Sequence, residues 1–181
     1  MTIDEIKKES GALLFNVRRS IRYHDRRRAF FDRLHQCTSG LTILLAGSVL
    51  FDVARPGDTP CWMTLIAVIA ALLSVWDMVV GYAKYSNLHN TLKNRFSALE
   101  IDMMAVNDTP ETLKKHQVER LRIEQDEPPI YRALDLLCRN EQMIAMGYKK
   151  PEDEKWFSKV GLLQKLTSQL FHWKNISQTK Q

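Results

Sequence analysis

The chain has 181 residues, a formal net charge of +5 and 45% hydrophobic residues. This length is enough for one domain with a sizeable core. Three cysteines are too few for the dense disulfide framework of a small secreted scaffold, so that class is excluded and the thiols are expected to be free.

The first predicted element is an amphipathic helix over residues 2–36. Its apolar stripe recurs at helical spacing, and its members are Ile3, Ile6, Leu13, Val17, Ile21 and His24. No proline occurs before Pro56, so this helix can run without a break into the apolar residues that follow. The same helix carries seven arginines, which form the basic cluster: Arg18, Arg19, Arg22, Arg26, Arg27, Arg28 and Arg33.

Two apolar stretches come next, and they predict a transmembrane hairpin with spans over about 37–53 and 62–82. About 20 apolar residues, each rising 1.5 Å, cross the hydrocarbon of a bilayer. The second stretch meets this length, whereas the first meets it only when its flanks are counted. The residues between them, Arg55-Pro-Gly-Asp58, are a turn signal.

The alternative is a buried hairpin in a soluble bundle, whose helices would normally show a polar face. From Cys61 to Tyr82 the only strongly polar side chain is Asp77. Nine Leu, Ile or Val residues in 62–82 contribute about −3 to −5 kcal/mol to insertion, against about +2.5 to +3.5 kcal/mol for an aspartate at the helix centre. Trp62 and Trp76, with Tyr82, resemble an aromatic belt. The sum of these insertion free energies, with the aromatic residues at the ends, favours a membrane location over a buried hairpin in a soluble bundle.

Charge placement predicts the orientation. The basic cluster precedes the first span, and Lys84, Lys93 and Arg95 follow the second, whereas the loop has one Arg and one Asp. Under the positive-inside rule both termini are cytoplasmic and the loop faces outward. No cleavable signal peptide is expected, because a long charged segment precedes the first apolar stretch.

Beyond the second span, the helix is expected to continue into the cytosol as a stalk. Its apolar residues step by three or four positions, and they are Tyr85, Leu88, Leu92, Phe96, Leu99, Met103 and Val106. These elements make up the first predicted domain, residues 1–106.

The second predicted domain, residues 107–175, consists of cytosolic helices. Thr109 is expected to cap a helix that begins at Pro110 and ends near Gln125. A second helix is expected from Ile130 to Met146, with Gly147 ending it.

A last helix is predicted from Pro151 onward, because acidic residues follow this proline in the first turn. Its apolar residues are Trp156, Val160, Leu163, Leu166 and Leu170. Residues 176–181 are predicted to form a disordered tail. Strand signals are absent, so the predicted class is all-α: a two-helix transmembrane hairpin with long cytosolic helical extensions and a small cytosolic helical bundle.

Catalytic motifs are absent from the sequence: it has no GxSxG, P-loop, GxGxxG, HExxH or CxxC pattern. We therefore predict that the chain is not an enzyme, and no cofactor is expected. His24 and His35 could approach His89 across the hairpin. A metal site is one interpretation of this proximity, but interhelical contacts are simpler, so no metal is predicted.

Asp25 and Asp32 lie among the arginines, where they could act as an acid–base pair. An ion pair of Asp25 with Arg22 or Arg28, three residues away on the helix, is the simpler interpretation. The basic cluster could bind nucleic acid. Its position at a membrane entry point is explained by topology and by anionic lipid, so nucleic acid is not an expected partner.

A stripe of small and polar residues in the second span is the most specific signal for function. Its members are Ala70, Ser74, Asp77 and Gly81, and Gly40 and Gly47 with neighbouring serines are the counterparts in the first span. Small residues let membrane helices approach closely, and an ionisable residue among them needs a partner or water. One interpretation is packing within one hairpin. The other is a path for water or ions, which needs a homo-oligomer because two helices cannot enclose a pore.

The layout resembles the SLATT family, two-transmembrane effector domains associated with SMODS nucleotidyltransferases and SLOG sensors. The residues that carry the resemblance are Arg18-Arg-Ser-Ile-Arg-Tyr-His-Asp-Arg-Arg-Arg-Ala-Phe-Phe-Asp-Arg33, the two spans, Tyr85-Ser-Asn-Leu-His89 and residues 92–99 of the exit helix. The resemblance implies a bacterial inner-membrane effector that oligomerises and breaches the membrane during phage infection. It implies a nucleotide-signalling or sensor partner and no catalytic residues.

Three hypotheses follow. The first is an oligomeric inner-membrane effector that permeabilises or depolarises the membrane when triggered, with the lipid bilayer and further copies of the chain as partners. The second is a non-conducting, membrane-anchored adaptor or scaffold for a cytosolic partner. The third is a soluble helical binding protein with a buried hairpin.

Overall fold

The computed structural model describes residues 2–53, 61–149 and 152–173, and the side chains of all these residues except 51–53. Every regular element in these ranges is helical, which confirms the all-α class for the described residues. The α-helices are Ile3–Val53 (α1), Cys61–Val80 (α2), Tyr82–Ala105 (α3), Pro110–Glu124 (α4), Arg132–Ala145 (α5) and Leu162–Leu166 (α6). A 3₁₀ turn covers Glu154–Trp156.

Helix α1 confirms that the N-terminal amphipathic helix continues into the first apolar stretch. It is 51 residues long and has Asp4 and Glu5 in its first turn, where acidic side chains stabilise the positive end of the helix dipole. Four members of the predicted stripe, Ile6, Leu13, Val17 and His24, are buried, whereas Ile3 is exposed. Burial of this face is what stabilises so long a helix.

One glycine separates α2 from α3. Gly81 has a φ of +67°, a left-handed conformation that a side chain would disfavour, and its N–H donates to the Asp77 carbonyl at 2.8 Å. The predicted continuation of the second apolar stretch into a long exit helix is confirmed, with this change of conformation between α2 and α3. That the stretch spans a membrane stays a prediction.

The limits of α4 and α5 follow the sequence signals. Thr109 caps α4, its Oγ1 accepting from the backbone N–H of Thr112 at 3.2 Å, and Pro110 opens the helix. Gly147, with a φ of +94°, follows the end of α5. Both predictions are confirmed.

The prediction of one last helix from Pro151 is wrong where the structure describes the segment. The chain forms the 3₁₀ turn, then extended backbone, and then the five-residue α6. Asn140 holds the extended part: its Nδ2 donates to the Ser158 carbonyl at 2.8 Å, and the Ser158 N–H donates to its Oδ1 at 2.9 Å. These contacts with a distant residue outweigh a helical pattern that lies within one short segment. Pro151 itself lies outside the described residues.

The chain divides into two compact units, each described by itself. The bundle unit is Met1–Arg27 with His89–Gln181, and the apolar unit is Arg28–Leu88. The core of the bundle unit includes Val17, Leu92, Phe96, Leu99, Ile123, Leu134 and Cys138. These units group residues by contact, and the predicted domain limits of 1–106 and 107–175 stay predictions. The predicted tail, 176–181, lies outside the described residues.

Among the described residues, one helix is long and apolar enough to cross a membrane, judged by length and composition. It covers Cys61–Ala105, and 11% of its most apolar window is buried. This finding is weakly compatible with the predicted span over 62–82. The first span over 37–53 and the two-span hairpin stay predictions, and the connecting turn lies outside the described residues.

Candidate functional site

The predicted small and polar stripe lies on α2 but does not form one buried seam. Ala70 is buried and Asp77 is half-buried, whereas Ser74 is exposed. Gly81 is the residue that ends α2. The stripe is therefore covered by other residues at Ala70 and partly at Asp77, whereas it is exposed at Ser74.

The two glycines of the first apolar stretch are exposed on α1. A Cβ built at Gly40 or at Gly47 meets no atom within 4 Å. Neither glycine is therefore required by a close contact within this chain. Their small size leaves a smooth strip of helix surface, the type of surface against which membrane helices pack.

Asp77 has a partner that the sequence analysis did not assign. His35 Nδ1 lies 3.0 Å from Asp77 Oδ2 and 3.4 Å from Oδ1. His35 is on α1 and Asp77 on α2, and along the chain they are equally far from Pro56. Two residues at equal distances from a predicted turn are expected to lie opposite each other in a hairpin, so the sequence contains a signal for this pair. A histidine ring N–H can donate to a carboxylate oxygen, so the ionisable residue of α2 has a side-chain partner on α1.

Further contacts within the apolar unit join α1 to the start of α3. Ser86 donates to Asp32, and the rings of Phe31 and Tyr85 stack with centroids 5.2 Å apart. Asp32, considered above as an acid–base residue, is thus held by a serine.

Exposed apolar side chains dominate the rest of these two helices. On α1 they are Leu41, Ile43, Leu44 and Leu50, and on α2 they are Trp62, Leu65, Val68, Ile69, Leu72, Val75, Trp76, Met78 and Val79. An apolar surface of this extent is far larger than a soluble monomer usually exposes. It requires either lipid or another protein surface as its environment.

The basic cluster is largely bound within the bundle unit. Arg18 Nε donates to Glu100 at 2.7 Å, and Arg22 Nε donates to Gln142 Oε1 at 2.9 Å. Two further arginines form ion pairs with acids on α5, Arg19 with Asp135 and Arg26 with Glu141. The forked guanidinium groups therefore connect α1 to α3 and α5.

Arg27 is the most buried member of the cluster. Its Nη1 donates to the Gln169 carbonyl at 2.7 Å, and its guanidinium lies 4.2 Å from the centroid of the Tyr131 ring. His172 stacks on the same ring, with centroids 3.8 Å apart. Arg28 and Arg33 belong to the apolar unit, where Arg28 is half-buried and Arg33 is exposed. The predicted roles of the cluster in topology and anionic lipid binding stay predictions.

A buried histidine pair is the most desolvated polar site of the bundle unit. His24 Nδ1 and His89 Nδ1 are 2.9 Å apart, and both side chains are about 1% exposed. On its other side, His24 Nε2 lies 3.1 Å from Glu127 Oε1. Burial, reinforced by the nearby His24 and Arg27 charges, lowers the pKa of His89 to about 3. His89 is therefore neutral in the folded protein at physiological pH.

The sequence analysis anticipated part of this pair. It predicted that His24 could meet His89, and the structure confirms that contact. It also placed His35 near them, but His35 instead pairs with Asp77 in the apolar unit. Glu127 was missed, because it precedes Pro128 in a connecting segment whose position follows only from the tertiary fold.

Asp25 also has a long-range partner. Its Oδ1 lies 3.0 Å from Lys93 Nζ.

In the described part of the chain, no group of three His, Cys, Asp or Glu residues could hold a metal ion.

No family model, no curated protein and no solved structure matches the chain. The geometry of the described residues must therefore carry the functional argument.

Proposed function

We propose that the chain is an oligomeric membrane effector that permeabilises or depolarises the bacterial inner membrane when it is triggered, with both termini in the cytoplasm. The His35–Asp77 contact carries this proposal. It joins two titratable groups at 3.0 Å within a unit whose exposed surface is mostly apolar.

An ionisable pair in such surroundings calls for an explanation. Ionisable residues in membrane segments usually line paths for water, protons or ions. Asp77 lies in the predicted second span, and His35 lies directly before the predicted first span. His35 is 45% and Asp77 22% exposed at the side chain, so the pair is open on one side in the single chain. That open side supplies the polar lining that a path would need.

Several copies are needed to close such a path, because two helices cannot surround one. The open strip at Gly40 and Gly47 offers a surface for close contact between copies. The resemblance to the SLATT family supports the same assembly and a nucleotide-signalling or sensor partner as its trigger. The bundle unit is the part of the chain available to receive that signal.

The test is induced expression in bacteria with a voltage-sensitive dye. Wild type is expected to depolarise the cells and arrest growth, either on induction alone or with its genomic neighbours co-expressed. Asp77→Asn and His35→Gln are each expected to reduce depolarisation about tenfold or more, because a neutral side chain no longer stabilises charge in the path. The matched control is Asp126→Asn, which removes a carboxylate that binds Arg95 on the surface of the bundle unit.

Three outcomes oppose the proposal. If wild type forms a membrane-bound oligomer with its trigger present and the membrane potential does not change, conduction is excluded. If Asp77→Asn and His35→Gln both retain full activity, the adaptor hypothesis is favoured instead. Recovery of wild type in the supernatant after ultracentrifugation without detergent would point to the soluble alternative.

A further inference from the structure

The segment after α5 combines positive charge with large apolar residues. From 155 to 173 the sequence has Lys155, Lys159 and Lys165 and no aspartate or glutamate. The sequence beyond it adds Lys174 and Lys180, again without an acid. Two tryptophans, two phenylalanines and four leucines lie in the same 155–173 segment.

One side of this segment is fixed to α5. Val160 and Trp173 pack against the buried Ala133 and Leu136. Arg139 Nη1 donates to the Trp156 carbonyl at 2.8 Å, which adds to the two hydrogen bonds between Asn140 and Ser158. The segment therefore presents its other side in a defined orientation.

That other side is apolar and uncovered in the single chain. Its exposed large side chains are Trp156, Leu162, Leu163, Leu166, Leu170 and Phe171. Leu162 and Leu166 are 75% and 73% exposed, although α6 is fixed through its neighbours. Beside them lies a groove of about 400 Å³ lined by Leu163, Thr167, Phe171, His172 and Trp173. Exposed leucines on a segment that is held in place by α5 indicate a surface for contact with another molecule rather than incomplete packing of the core.

We propose that this surface, the C-terminal patch, docks on the headgroup region of an anionic lipid bilayer. Leucine and aromatic side chains flanked by lysines are the composition that binds such interfaces, the apolar groups entering the acyl boundary and the lysines facing anionic headgroups. Lys159 is 82% exposed at the side chain, and Lys155 Nζ lies 5.3 Å from the centroid of the exposed Trp156 ring.

Acids border the patch only at its N-terminal end, where Lys159 Nζ lies 3.8 Å from Glu154 Oε1 and Glu152 and Asp153 precede. From Lys159 to Trp173 the sequence has no acid, so two copies joined around α6 would bring lysines together without a carboxylate from these residues, which argues against a second copy as the occupant. The inference rests on the membrane location in the proposed function and does not depend on conduction.

The experiment measures hydrogen exchange of the full chain in lipid nanodiscs. One set contains phosphatidylcholine alone, and the other contains phosphatidylcholine mixed with phosphatidylglycerol. Amides of residues 160–172 are expected to exchange about tenfold more slowly in the anionic discs. This factor is at the low end of the binding free energy that three lysines gain near an anionic surface. Amides of α4, measured in the same samples, are expected to be unchanged.

Two variants separate charge from apolar contact. Replacing Lys155, Lys159 and Lys165 together by Gln is expected to abolish the difference between the two disc types. The matched control replaces the exposed Lys7, Lys8 and Lys114 by Gln and is expected to retain it. Leu162→Ser with Leu166→Ser, both at exposed positions, is expected to lower protection in the anionic discs toward the phosphatidylcholine value.

The outcomes that overturn the inference are specific. Equal exchange in the two disc types excludes anionic lipid as the occupant. Protection that also appears in detergent, and that rises with protein concentration, assigns the patch to contact between copies. Lipid-dependent protection without any depolarisation in cells would uphold the patch and reject the proposed conduction, so the two failures are distinguishable.

Discussion

Cys138 shows how burial controls the chemistry of one residue. It packs against Tyr23 and Leu134 with no exposed surface. Burial raises the pKa of its thiol to about 12, so very little of the reactive thiolate exists at neutral pH. Cys37 and Cys61 are exposed in the single chain.

We therefore predict that a maleimide reagent leaves Cys138 unmodified in the native, detergent-solubilised protein. In the variant with Cys37→Ser and Cys61→Ser, mass spectrometry should find no label before denaturation and one label per chain afterwards. Rapid native labelling of this variant would show that the contact of Cys138 with Tyr23 and Leu134 opens readily. The result would then contradict the packing of α5 against α1.

At the scale of elements, the His24–His89 contact makes the packing of α1 on α3 dependent on pH. The pKa of His89 falls from 6.5 to about 3 on folding, so the unfolded chain binds more protons between these values. The stability that depends on neutral His89 is complete above about pH 6.5 and declines as the pH falls toward 3. The groups facing this site are His24, Arg27 and Glu127. The carboxylate of Glu127 contacts His24 and not His89, so it does not favour the protonated form of His89 directly.

We predict that the bundle unit is less stable at pH 5 than at pH 7. One proton accounts for up to about 1.4 kcal/mol per pH unit in this window. Most carboxylates titrate below it, but burial raises the pKa of Asp135 toward it, so the comparison with His89→Asn is needed to assign the loss to His89. Urea unfolding followed by circular dichroism in detergent should show this loss for wild type and a smaller one for His89→Asn. The exposed His172→Asn should retain the wild-type dependence, and an identical pH profile for all three proteins would reject the assignment to His89.

The cap of α4 is a second prediction at this scale. Thr109→Ala removes the oxygen that accepts from the Thr112 N–H and is expected to cost about 1 kcal/mol of unfolding free energy. Thr109→Ser keeps that oxygen and should cost much less. Urea midpoints at neutral pH measure both, and equal midpoints for the alanine variant and wild type would mean that Pro110 alone sets the start of the helix.

Local signals predicted these helices, but the partners of their side chains depended on the fold. The absence of proline before Pro56, the Thr109–Pro110 cap and Gly147 act within a few residues, so the limits of α1, α4 and α5 followed from sequence. The arginines were recognised as a cluster, yet their acids lie on α3 and α5, far along the chain. The last helix failed for the same reason, because Asn140 fixes Ser158 in extended backbone.

At the scale of the whole molecule, the surface divides by chemistry. The apolar unit exposes leucine, isoleucine and valine side chains, whereas arginines of the bundle unit are bound to acids on neighbouring helices. The exposed apolar surface of the apolar unit calls for lipid or another protein surface as its environment. The exposed C-terminal patch adds a second apolar surface to the bundle unit.

The predicted hairpin has a direct test if, as predicted above, the buried Cys138 does not react with thiol reagents in the folded protein. In the Cys37→Ser, Cys61→Ser background, a cysteine replaces Thr59 in the predicted outer loop or the exposed Lys114 on α4. A membrane-impermeant maleimide added to spheroplasts is expected to label position 59 at once and position 114 only after permeabilisation. The reason is that basic residues flank both predicted spans on the side of the termini and hold that side in the cytoplasm. Labelling of both positions in intact spheroplasts, or of neither, would mean that 59 and 114 share one compartment, and the two-span hairpin would then be wrong.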